Sequence, residues 1–401
     1  MEKGIVKNNI IALSGEPVSG KGTTVNELIK RLKDSGYSTE QIHIESTGEM
    51  FRTYFNSIVD LLKNLDNEEE LLNISQRQEL KNIFDNQEYR DIFTKTITKL
   101  KKEGIDLSDF SIEQANNRED FKEIRKIVDT LIDEGIKKLG KEINREPHPN
   151  EIWIIDSRLA FFNIPEAFSV RLTANPDVAG ERLFNDKTRG KEDNHYENIE
   201  DAKKEREERR IGENKRYLER YGVDLADENN YDLIIDTSYA SVPDIAEVIL
   251  QCQNYYDKGK KFNKKWASPQ IFLPLQTERD TIGGINTLDE VVESIKRKGY
   301  LPDQSIEVVN VDGLNYIIEG HHRNFAAAYA GKTLIPYNII AKDDEIIYPY
   351  SNTARDRASG ITRAYLSGHE WMIAENNKDF SYKKIFPELV SKLEEREGIE
   401  H

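Results

Sequence analysis

The sequence predicts an α/β fold, in which a doubly wound parallel sheet with a helical insertion and a lid is followed by a smaller α+β domain. Short apolar runs alternate with amphipathic stretches, a long stretch of helical periodicity interrupts them, and the pattern changes after residue 251. Strands that alternate with helices predict a parallel sheet, because each crossover places a helix on one face of it. A chain of 401 residues also exceeds what one hydrophobic core usually serves, so two or three domains are expected from length alone.

Four short apolar runs are predicted to be the buried strands of the first domain. They cover residues 10–14, 151–157, 168–173 and 231–237. An amphipathic helix is predicted after the first strand, over Thr24–Leu32. Apolar residues then recur at helical spacing from Met50 to about Lys141, so we predict a helical insertion over about residues 53–148.

A strongly charged stretch lies between the third and fourth of these strands. Residues 194–221 are so rich in Lys, Glu and Arg that we expect a solvated helix rather than a core helix. We therefore predict a lid over about residues 186–220, within a first domain that spans residues 1–255.

The pattern changes at a Lys-rich segment, Asp257–Lys265, which Pro269 and Pro274 follow. Such a segment is typical of a linker, so we place a boundary near residue 262 and a second domain over residues 264–401. The predicted elements of this domain are helices over 288–298 and 324–330 and strands over 306–311, 316–318 and 335–340.

Composition restricts the classes of function. The formal net charge of −16 opposes binding to nucleic-acid backbones, and Cys252 is the single cysteine, which excludes an intramolecular disulfide and a cysteine cluster for zinc or iron–sulfur. The N-terminus lacks the layout of a signal peptide, and no apolar run approaches the roughly 20 residues of a membrane span. We predict a cytoplasmic protein that binds a small molecule or nucleotide, without a nucleic-acid or membrane partner.

A glycine-rich loop lies between the first strand and the first helix. The segment GEPVSGKGT, which begins at Gly15 and ends at Thr23, matches the G-x-x-x-x-G-K phosphate-loop (P-loop) pattern in the strand–loop–helix setting that this loop requires. Backbone N–H groups of such a loop wrap a polyphosphate, Lys21 reaches its β- and γ-phosphates, and Thr23 is the candidate ligand of a magnesium ion, Mg2+. The alternative is a chance match in an ordinary glycine-containing loop. We predict ATP binding by Gly15, Ser19, Gly20, Lys21, Gly22, Thr23 and Thr24.

Three further stretches occur in order along the chain: STGEMFR from Ser46, IIDSR from Ile154, and RRIGENKRY from Arg209. Together with the loop, they make residues 8–250 resemble the cytidylate kinase family, which consists of nucleoside-monophosphate kinases. The resemblance ends with YDLIIDTS, which begins at Tyr231.

This resemblance implies roles for particular residues. Arg52 and Arg158 would hold the acceptor phosphate beside Ser46 and Thr47, and Asp156 would order magnesium-bound water or accept a hydrogen bond from the acceptor. The arginines implied to close on the transferring group are Arg182, Arg209 and Arg216. Guanidinium groups suit this chemistry, because phosphoryl transfer spreads negative charge over several oxygens. Each lid arginine has an alternative role as part of a solvated charged face, and Asp156 has one as a solvated strand-end carboxylate.

About a hundred residues separate Arg52 from Asp156, which departs from the compact acceptor-binding segment expected of the family. The insertion either enlarges the pocket for a different phosphate ester or alcohol, or serves as a docking surface for the second domain.

A Gly-His-His-Arg turn opens a predicted helix in the second domain. Gly320, His321, His322 and Arg323, with the strand before them, make residues 270–342 resemble the ParB/sulfiredoxin-type fold. The turn predicts a nucleotide or phosphate site at a helix N-terminus, and the alternative is a helix-capping turn with exposed histidines. The cysteine of sulfiredoxins is missing here. The segment resembles the free-serine kinases of this fold more closely, which implies Glu278 as the catalytic base.

We therefore predict an ATP- and magnesium-dependent phosphotransferase with a C-terminal nucleotide- or phosphate-binding domain. The implied catalytic residues are Lys21, Arg158, Arg209, Arg216 and Glu278. Two alternatives remain: a kinase of a small metabolite alcohol such as a free amino acid, and a nucleotide-gated regulatory protein without acceptor turnover.

Overall fold

The computed structural model describes residues 9–63, 86–103, 119–186, 196–273, 285–311 and 314–342. The chain divides into two compact units. Unit 1 is drawn from Met1–Ala12, Glu40–Ala167 and Asp186–His195, and unit 2 from Leu13–Thr39, Phe168–Asn185 and Tyr196–His401. Unit 2 contains residues on both sides of the boundary predicted near residue 262, and that boundary stays a prediction.

The strands are, in chain order, β1 (Asn9–Gly15), β2 (Ile42–Ser46), β3 (Ile152–Asp156), β4 (Phe168–Thr173), β5 (Leu233–Asp236), β6 (Lys265–Ala267), β7 (Phe272–Leu273), β8 (Ile306–Val311), β9 (Leu314–Glu319) and β10 (Ile335–Lys342). The helices are α1 (Lys21–Asp34), α2 (Thr47–Lys63), α3 (Gln87–Lys102), α4 (Lys122–Ile143), α5 (Ala160–Asn163), α6 (Pro176–Asn185), α7 (Ile199–Tyr221), α8 (Val242–Asp257), α9 (Ile285–Lys298) and α10 (His321–Tyr329).

Unit 1 is mainly helical. Its strands β2 and β3 pair in parallel, and helices α2 and α3 pack against α4. The spacing of apolar residues that predicts these helices places one face of each in the core, and this core is built of aromatic and branched side chains. Its members include Phe55, Ile58, Phe93, Leu100, Phe121, Ile124, Ile132 and Ile136. Residues 64–85 and 104–118 of the predicted insertion lie outside the described residues.

Unit 2 contains a sheet in which the strand order is β4-β5-β6-β10-β8-β9-β7. The β4–β5, β5–β6, β10–β8 and β7–β9 pairs are parallel, whereas β6–β10 and β8–β9 are antiparallel. Helix α1 packs against α8, α6 against α7, and α9 against α10. The mixed α/β class with a mostly parallel sheet, which the sequence predicts, is confirmed.

Three strands escaped the sequence analysis. β2 carries the sequence IHIES, in which His43 and Glu45 interrupt the apolar run, and β7 is only two residues long. β6, which begins at Lys265, lies at the end of the segment that was predicted as a linker, and it pairs with both β5 and β10. Short strands of mixed polarity carry little periodic signal, so their pairing depends on neighbours that are distant in sequence.

Among the described helices, none combines the length and the apolar character that crossing a bilayer requires.

Candidate functional site

The glycine-rich loop connects β1 to α1, as the sequence predicts. Gly20 adopts the left-handed conformation, with φ 84°, and directly precedes the first residue of α1. Its carbonyl accepts hydrogen bonds from the backbone N–H of Thr24 at 3.0 Å, from the hydroxyl of Thr23 at 2.7 Å and from the hydroxyl of Thr24 at 2.9 Å. No side chain caps the N-terminus of α1. The amides of its first turn therefore lie where an anion binds favourably.

Two small residues, Gly15 and Ser19, are closely packed at the base of the loop. A Cβ atom on Gly15 would lie 2.6 Å from Ser19 Oγ and 3.1 Å from Leu172 Cβ, so only glycine fits at this position. Ser19 is 1% exposed, and its hydroxyl has no hydrogen-bond partner among the described residues. A buried hydroxyl without a protein partner, in a glycine-rich loop, is consistent with a loop that contacts a polyphosphate, because the ligand can supply the missing hydrogen bond.

Val18 adds backbone strain in the same loop. Its φ of 64° lies in the left-handed region, and it is the only non-glycine residue with positive φ among those described. A β-branched residue in this region costs about 1–3 kcal/mol, and such strain clusters at ligand-binding loops.

Glu16, the second residue of the loop, has two cationic partners that the sequence analysis missed. Its carboxylate accepts hydrogen bonds from Arg171 of β4 at 3.0 Å and from Arg206 of α7 at 2.5 Å. A carboxylate in a phosphate loop signals that a cation must be near. The sequence does not show which arginine supplies it, because α7 carries several of them.

Arg182 of α6 is hydrogen-bonded to the segment that follows β5. Its guanidinium donates to the carbonyl oxygens of Thr237 at 2.6 Å and Ser238 at 3.0 Å, and Thr237 Oγ1 in turn donates to the carbonyl of Ser19 at 3.0 Å. Burial lowers the pKa of the Arg182 guanidinium, and the nearby Asp236 carboxylate opposes that shift. Arg182 therefore supports the loop through Thr237, and its role in phosphoryl transfer stays a prediction.

The predicted lid arginines occupy the exposed side of α7. Arg209 is 57% exposed and pairs with Glu213 at 3.2 Å, and the guanidinium of Arg216 lies 5.0 Å from the ring centroid of Tyr217. The sequence predicts a solvated helix here, but the N-terminal half of α7 is partly buried. Ala202 is completely buried and Arg206 is 1% exposed, because α7 packs against α6.

The predicted acceptor residues of unit 1 meet at the carboxyl ends of β2 and β3. Ser46 lies opposite Asp156 in the parallel register, and Thr47 Oγ1 donates to the carbonyl of Asp156 at 3.3 Å. The Ser46 hydroxyl accepts a hydrogen bond from the backbone N–H of Glu49, at 3.4 Å, in the first turn of α2. This is the end of a parallel sheet at which ligands bind in open α/β folds.

Two arginines lie on the elements that follow these strand ends. Arg52 is exposed, and its Nη1 is 3.8 Å from the position that a Cβ on Gly48 would take, so its guanidinium folds back along the first turn of α2. Arg158 is half-buried and follows Asp156 by two residues. Burial also raises the pKa of the neighbouring Glu45 carboxyl, and His43 opposes that shift.

The Gly-His-His-Arg turn of unit 2 forms the first turn of α10. Gly320 has φ 100°, His321 is 6% exposed and His322 is exposed. Arg323 donates through Nη1 to the carbonyl of Ser305 and lies 3.5 Å from a carboxylate oxygen of Glu319, so its guanidinium already has two intramolecular partners. Glu278, the implied base, lies outside the described residues.

A phosphate loop between a strand and a helix of a mostly parallel α/β fold is typical of nucleotide-binding proteins. Residues 60–239 match the model of the Cytidylate kinase-like family. The matched range includes Asp156, Arg158, Arg182, Arg209 and Arg216, and it begins after the phosphate loop. These findings support a nucleotide-kinase-like function.

Three curated proteins are similar to parts of the chain. An S-adenosylmethionine-dependent nucleotide dehydratase of Lacinutrix mariniflava is 27% identical over 173 residues, which are 43% of this chain and 34% of that protein. A cytidylate kinase of Thermoplasma volcanium is 38% identical over 52 residues, 13% of this chain and 27% of that enzyme. A cytidylate kinase of Methanosphaera stadtmanae is 28% identical over 121 residues, 30% of this chain and 64% of that enzyme. The chain therefore spans less than two thirds of each of these relatives.

A crystal structure of an uncharacterized protein from Eubacterium ventriosum aligns with 62% of this chain and 99% of that one. Its sequence identity is 13% and the TM-score is 0.32. This weak similarity contributes nothing to the assignment.

Proposed function

We propose that the protein is an ATP-dependent kinase that transfers a phosphoryl group to a nucleoside monophosphate. The geometry of the phosphate loop carries the proposal. Gly15 has no space for a side chain, and the positive φ of Gly20 disfavours one. The buried hydroxyl of Ser19 has no hydrogen-bond partner among the described residues, and no side chain caps the first turn of α1. The match to the cytidylate kinase-like family and the two cytidylate kinase relatives support a nucleotide acceptor.

Magnesium fits the donor set of the loop. Mg2+ in phosphotransferases is held mainly by phosphate oxygens and water, with one or two protein ligands. The Thr23 hydroxyl donates its hydrogen to Gly20, which leaves its oxygen lone pairs for a cation. No group of three or more His, Cys, Asp or Glu residues in the described part of the chain is arranged to hold a metal. Thr23 would hold the ion together with phosphate oxygens of the nucleotide. The ion supplies charge neutralisation to the transferring phosphoryl group.

The proposal is tested by replacing the loop lysine. Purified full-length protein with magnesium and ATP is offered a panel of nucleoside monophosphates and small alcohols, including free serine. We expect Lys21→Ala to lower kcat/KM for the best acceptor at least about a hundredfold, because the lysine stabilises charge that develops on the phosphates. Lys30→Ala is the matched control, since Lys30 lies on the same helix and pairs with Glu27 at the surface. Equal turnover by wild type and Lys21→Ala would contradict the proposal.

The panel also separates the alternatives. Turnover of a small alcohol without turnover of any monophosphate would favour a metabolite kinase. Nucleotide binding without turnover of any acceptor would favour a nucleotide-gated regulatory protein. The name of the Lacinutrix relative supports a nucleotide as the substrate class, and we carry over nothing further from it, since the chain covers only 34% of its length.

We further propose that the first turn of α10 binds a nucleotide or phosphate independently of the phosphate loop, as a ParB/sulfiredoxin-like site would. The exposed His322 at an amino-terminal helix turn supports it, whereas the internal bonds of Arg323 leave that residue less to offer a ligand. Full-length Lys21→Ala titrated with ATP, ADP and CTP by calorimetry tests the site. Binding that disappears on adding His322→Ala supports it, and absence of binding by the Lys21→Ala protein refutes it.

A further inference from the structure

Glu16 links the phosphate loop to two other elements of unit 2. Its two carboxylate oxygens accept hydrogen bonds from different arginines, Oε1 from Arg171 and Oε2 from Arg206. Arg206 is almost completely buried, and Arg171 is also fixed by a hydrogen bond to the carbonyl of Ala226 at 3.0 Å. Breaking a buried ion pair by removing one partner leaves an uncompensated charge, so this cluster is tightly constrained.

The backbone of Glu16 is also hydrogen-bonded on both sides. Its N–H donates to the carbonyl of Leu172 at 3.0 Å, and its carbonyl accepts from the N–H of Ser19 at 3.2 Å. The carboxylate is therefore presented from a fixed point at the start of the loop. The conformation of the loop therefore fixes the position of Arg206, the hydrogen-bond partner of Glu16 on α7.

The charges of the cluster also suit a polyphosphate. One carboxylate alone in a phosphate loop would repel the ligand. Arg206 also donates to Glu207 at 3.3 Å, and Glu207 accepts from Arg210 at 2.6 Å. The connected cluster therefore has three guanidiniums (Arg171, Arg206 and Arg210) against two carboxylates (Glu16 and Glu207), a formal charge of +1. The acidic residue is thus tolerated in the loop because the guanidiniums of this cluster outnumber its carboxylates.

Arg206 marks a division within α7. Before it, Ala202 is buried against α6, and after it Ile211 and Leu218 are 54% and 51% exposed. Arg210 follows Arg206 by one turn and is bonded to Glu207 at 2.6 Å; that hydrogen bond raises the pKa of the Arg210 guanidinium, and the more distant Glu16 adds to the rise. The exposed half of the helix therefore extends from a turn whose position depends on Glu16.

We propose that Glu16 is a positioning residue that latches α7 to the phosphate loop through Arg206. The latch sets the starting point of the helix segment that carries Arg209, Arg210 and Arg216. Its structural part stands by itself, and its effect on catalysis rests on the proposed kinase function.

Hydrogen exchange in the full-length protein tests the latch without any assumption about turnover. The variants are Glu16→Gln, Arg206→Lys and the double variant. We expect either single change to accelerate amide exchange in residues 202–210 about tenfold or more, because the contact between Glu16 and Arg206 that holds this part of α7 on the loop is lost. The double variant should add little to either change, since both act on one interaction.

The matched control is Glu27→Gln. Glu27 has a side-chain exposure of 15%, close to the 16% of Glu16, but it pairs with Arg31 within α1. We expect this control to leave exchange in α7 unchanged. Unchanged α7 exchange in both Glu16→Gln and Arg206→Lys would overturn the proposal. So would additive effects of the two changes. If Glu16→Gln fails to fold, Arg206→Lys decides the matter, because it keeps the charge and loses the planar fork.

Kinetics then separate positioning from general loss of structure. In wild-type protein that turns over a monophosphate, we expect Glu16→Gln to lower kcat about tenfold or more with a smaller change in the KM for ATP. A wild type without turnover would refute the proposed function and leave the latch to be judged by exchange alone. Turnover in wild type with equal kcat in Glu16→Gln would refute the role of the latch in catalysis.

Discussion

Gly320 shows how one residue is constrained twice. Its φ of 100° disfavours any side chain, and an added Cβ would lie 2.7 Å from Cγ2 and 3.2 Å from Cα of Ile306. We expect Gly320→Ala to lower the free energy of unfolding by about 3 kcal/mol, which combines left-handed strain with overpacking against β8. Urea denaturation measures the loss.

Gly331 provides the control for that measurement. Its φ is also positive, 76°, but no atom lies within 4 Å of an added Cβ. Gly331→Ala should therefore cost only about 1–2 kcal/mol, the conformational part of the effect. Equal losses in the two variants would show that the contact with Ile306 is relieved without cost.

Arg52 and Arg158 are the residues on which the acceptor assignment depends. We expect Arg52→Ala and Arg158→Ala to raise the KM for the acceptor about tenfold or more and to leave the KM for ATP nearly unchanged, because a guanidinium lost from a phosphate removes a charge-assisted hydrogen bond. Steady-state kinetics with each substrate varied in turn provide the measurement. Arg145→Ala, an exposed position of unit 1, is the control. An effect confined to the KM for ATP would move these arginines to the nucleotide.

At the scale of elements, the packing of α6 on α7 depends on a small residue. A Cβ on Gly180 would lie 2.2 Å from Cγ and 3.2 Å from Cα of Lys203, so the Lys203 side chain would have to move and the two helices would have to separate by a few tenths of an ångström. We expect Gly180→Ala to lower the free energy of unfolding by about 1–3 kcal/mol and to weaken the hold on α7. Chemical denaturation and exchange of α7 amides report the two effects.

Gly212 of the same helix predicts the opposite sign. It has no atom within 4 Å of an added Cβ, and it lies in a helix interior. Gly212→Ala should stabilise the protein by up to about 1 kcal/mol, since alanine has the higher helix propensity. Destabilisation by both substitutions would mean that α7 has neighbours beyond those of its N-terminal half.

At the scale of the molecule, polar contacts join the start of α8 to the segment before β10. Asp244 accepts hydrogen bonds from the N–H and the hydroxyl of Thr333, at 2.7 Å and 2.6 Å, and Lys332 lies 3.0 Å from Glu247. These residues lie on opposite sides of the predicted boundary and within one compact unit. We expect Asp244→Ala to accelerate amide exchange in both α8 and β10, because the contact joins them.

Asp227 is the control for this coupling. Its carboxylate accepts a hydrogen bond from Asn229, two residues along the chain, so its loss is local. Asp227→Ala should leave exchange in α8 and β10 unchanged. Acceleration confined to α8 in Asp244→Ala would instead show that the two segments open independently.

The sequence by itself determined the features that depend on residues close together in the chain. The phosphate loop, the strands at 168–173 and 306–311, and the helix over Lys122–Ile143 follow from glycine spacing and apolar periodicity, and the structure places them at those positions. The family resemblance likewise came from short motifs in order. Each of these signals lies within a few turns of chain, where neighbouring residues fix the conformation.

Only the tertiary structure decided which charged residues serve the loop. Arg206 and Arg209 belong to the same helix and the same residue type, yet one is 1% exposed and the other 57%. The difference arises from Glu16, 190 residues away in the chain, and from the helix that packs beside Arg206. Strand β6 was hidden for the same reason, since its two partners are far apart in sequence. Burial and pairing over such separations are properties of the folded chain, because no local sequence pattern specifies which distant residue or strand will be the partner.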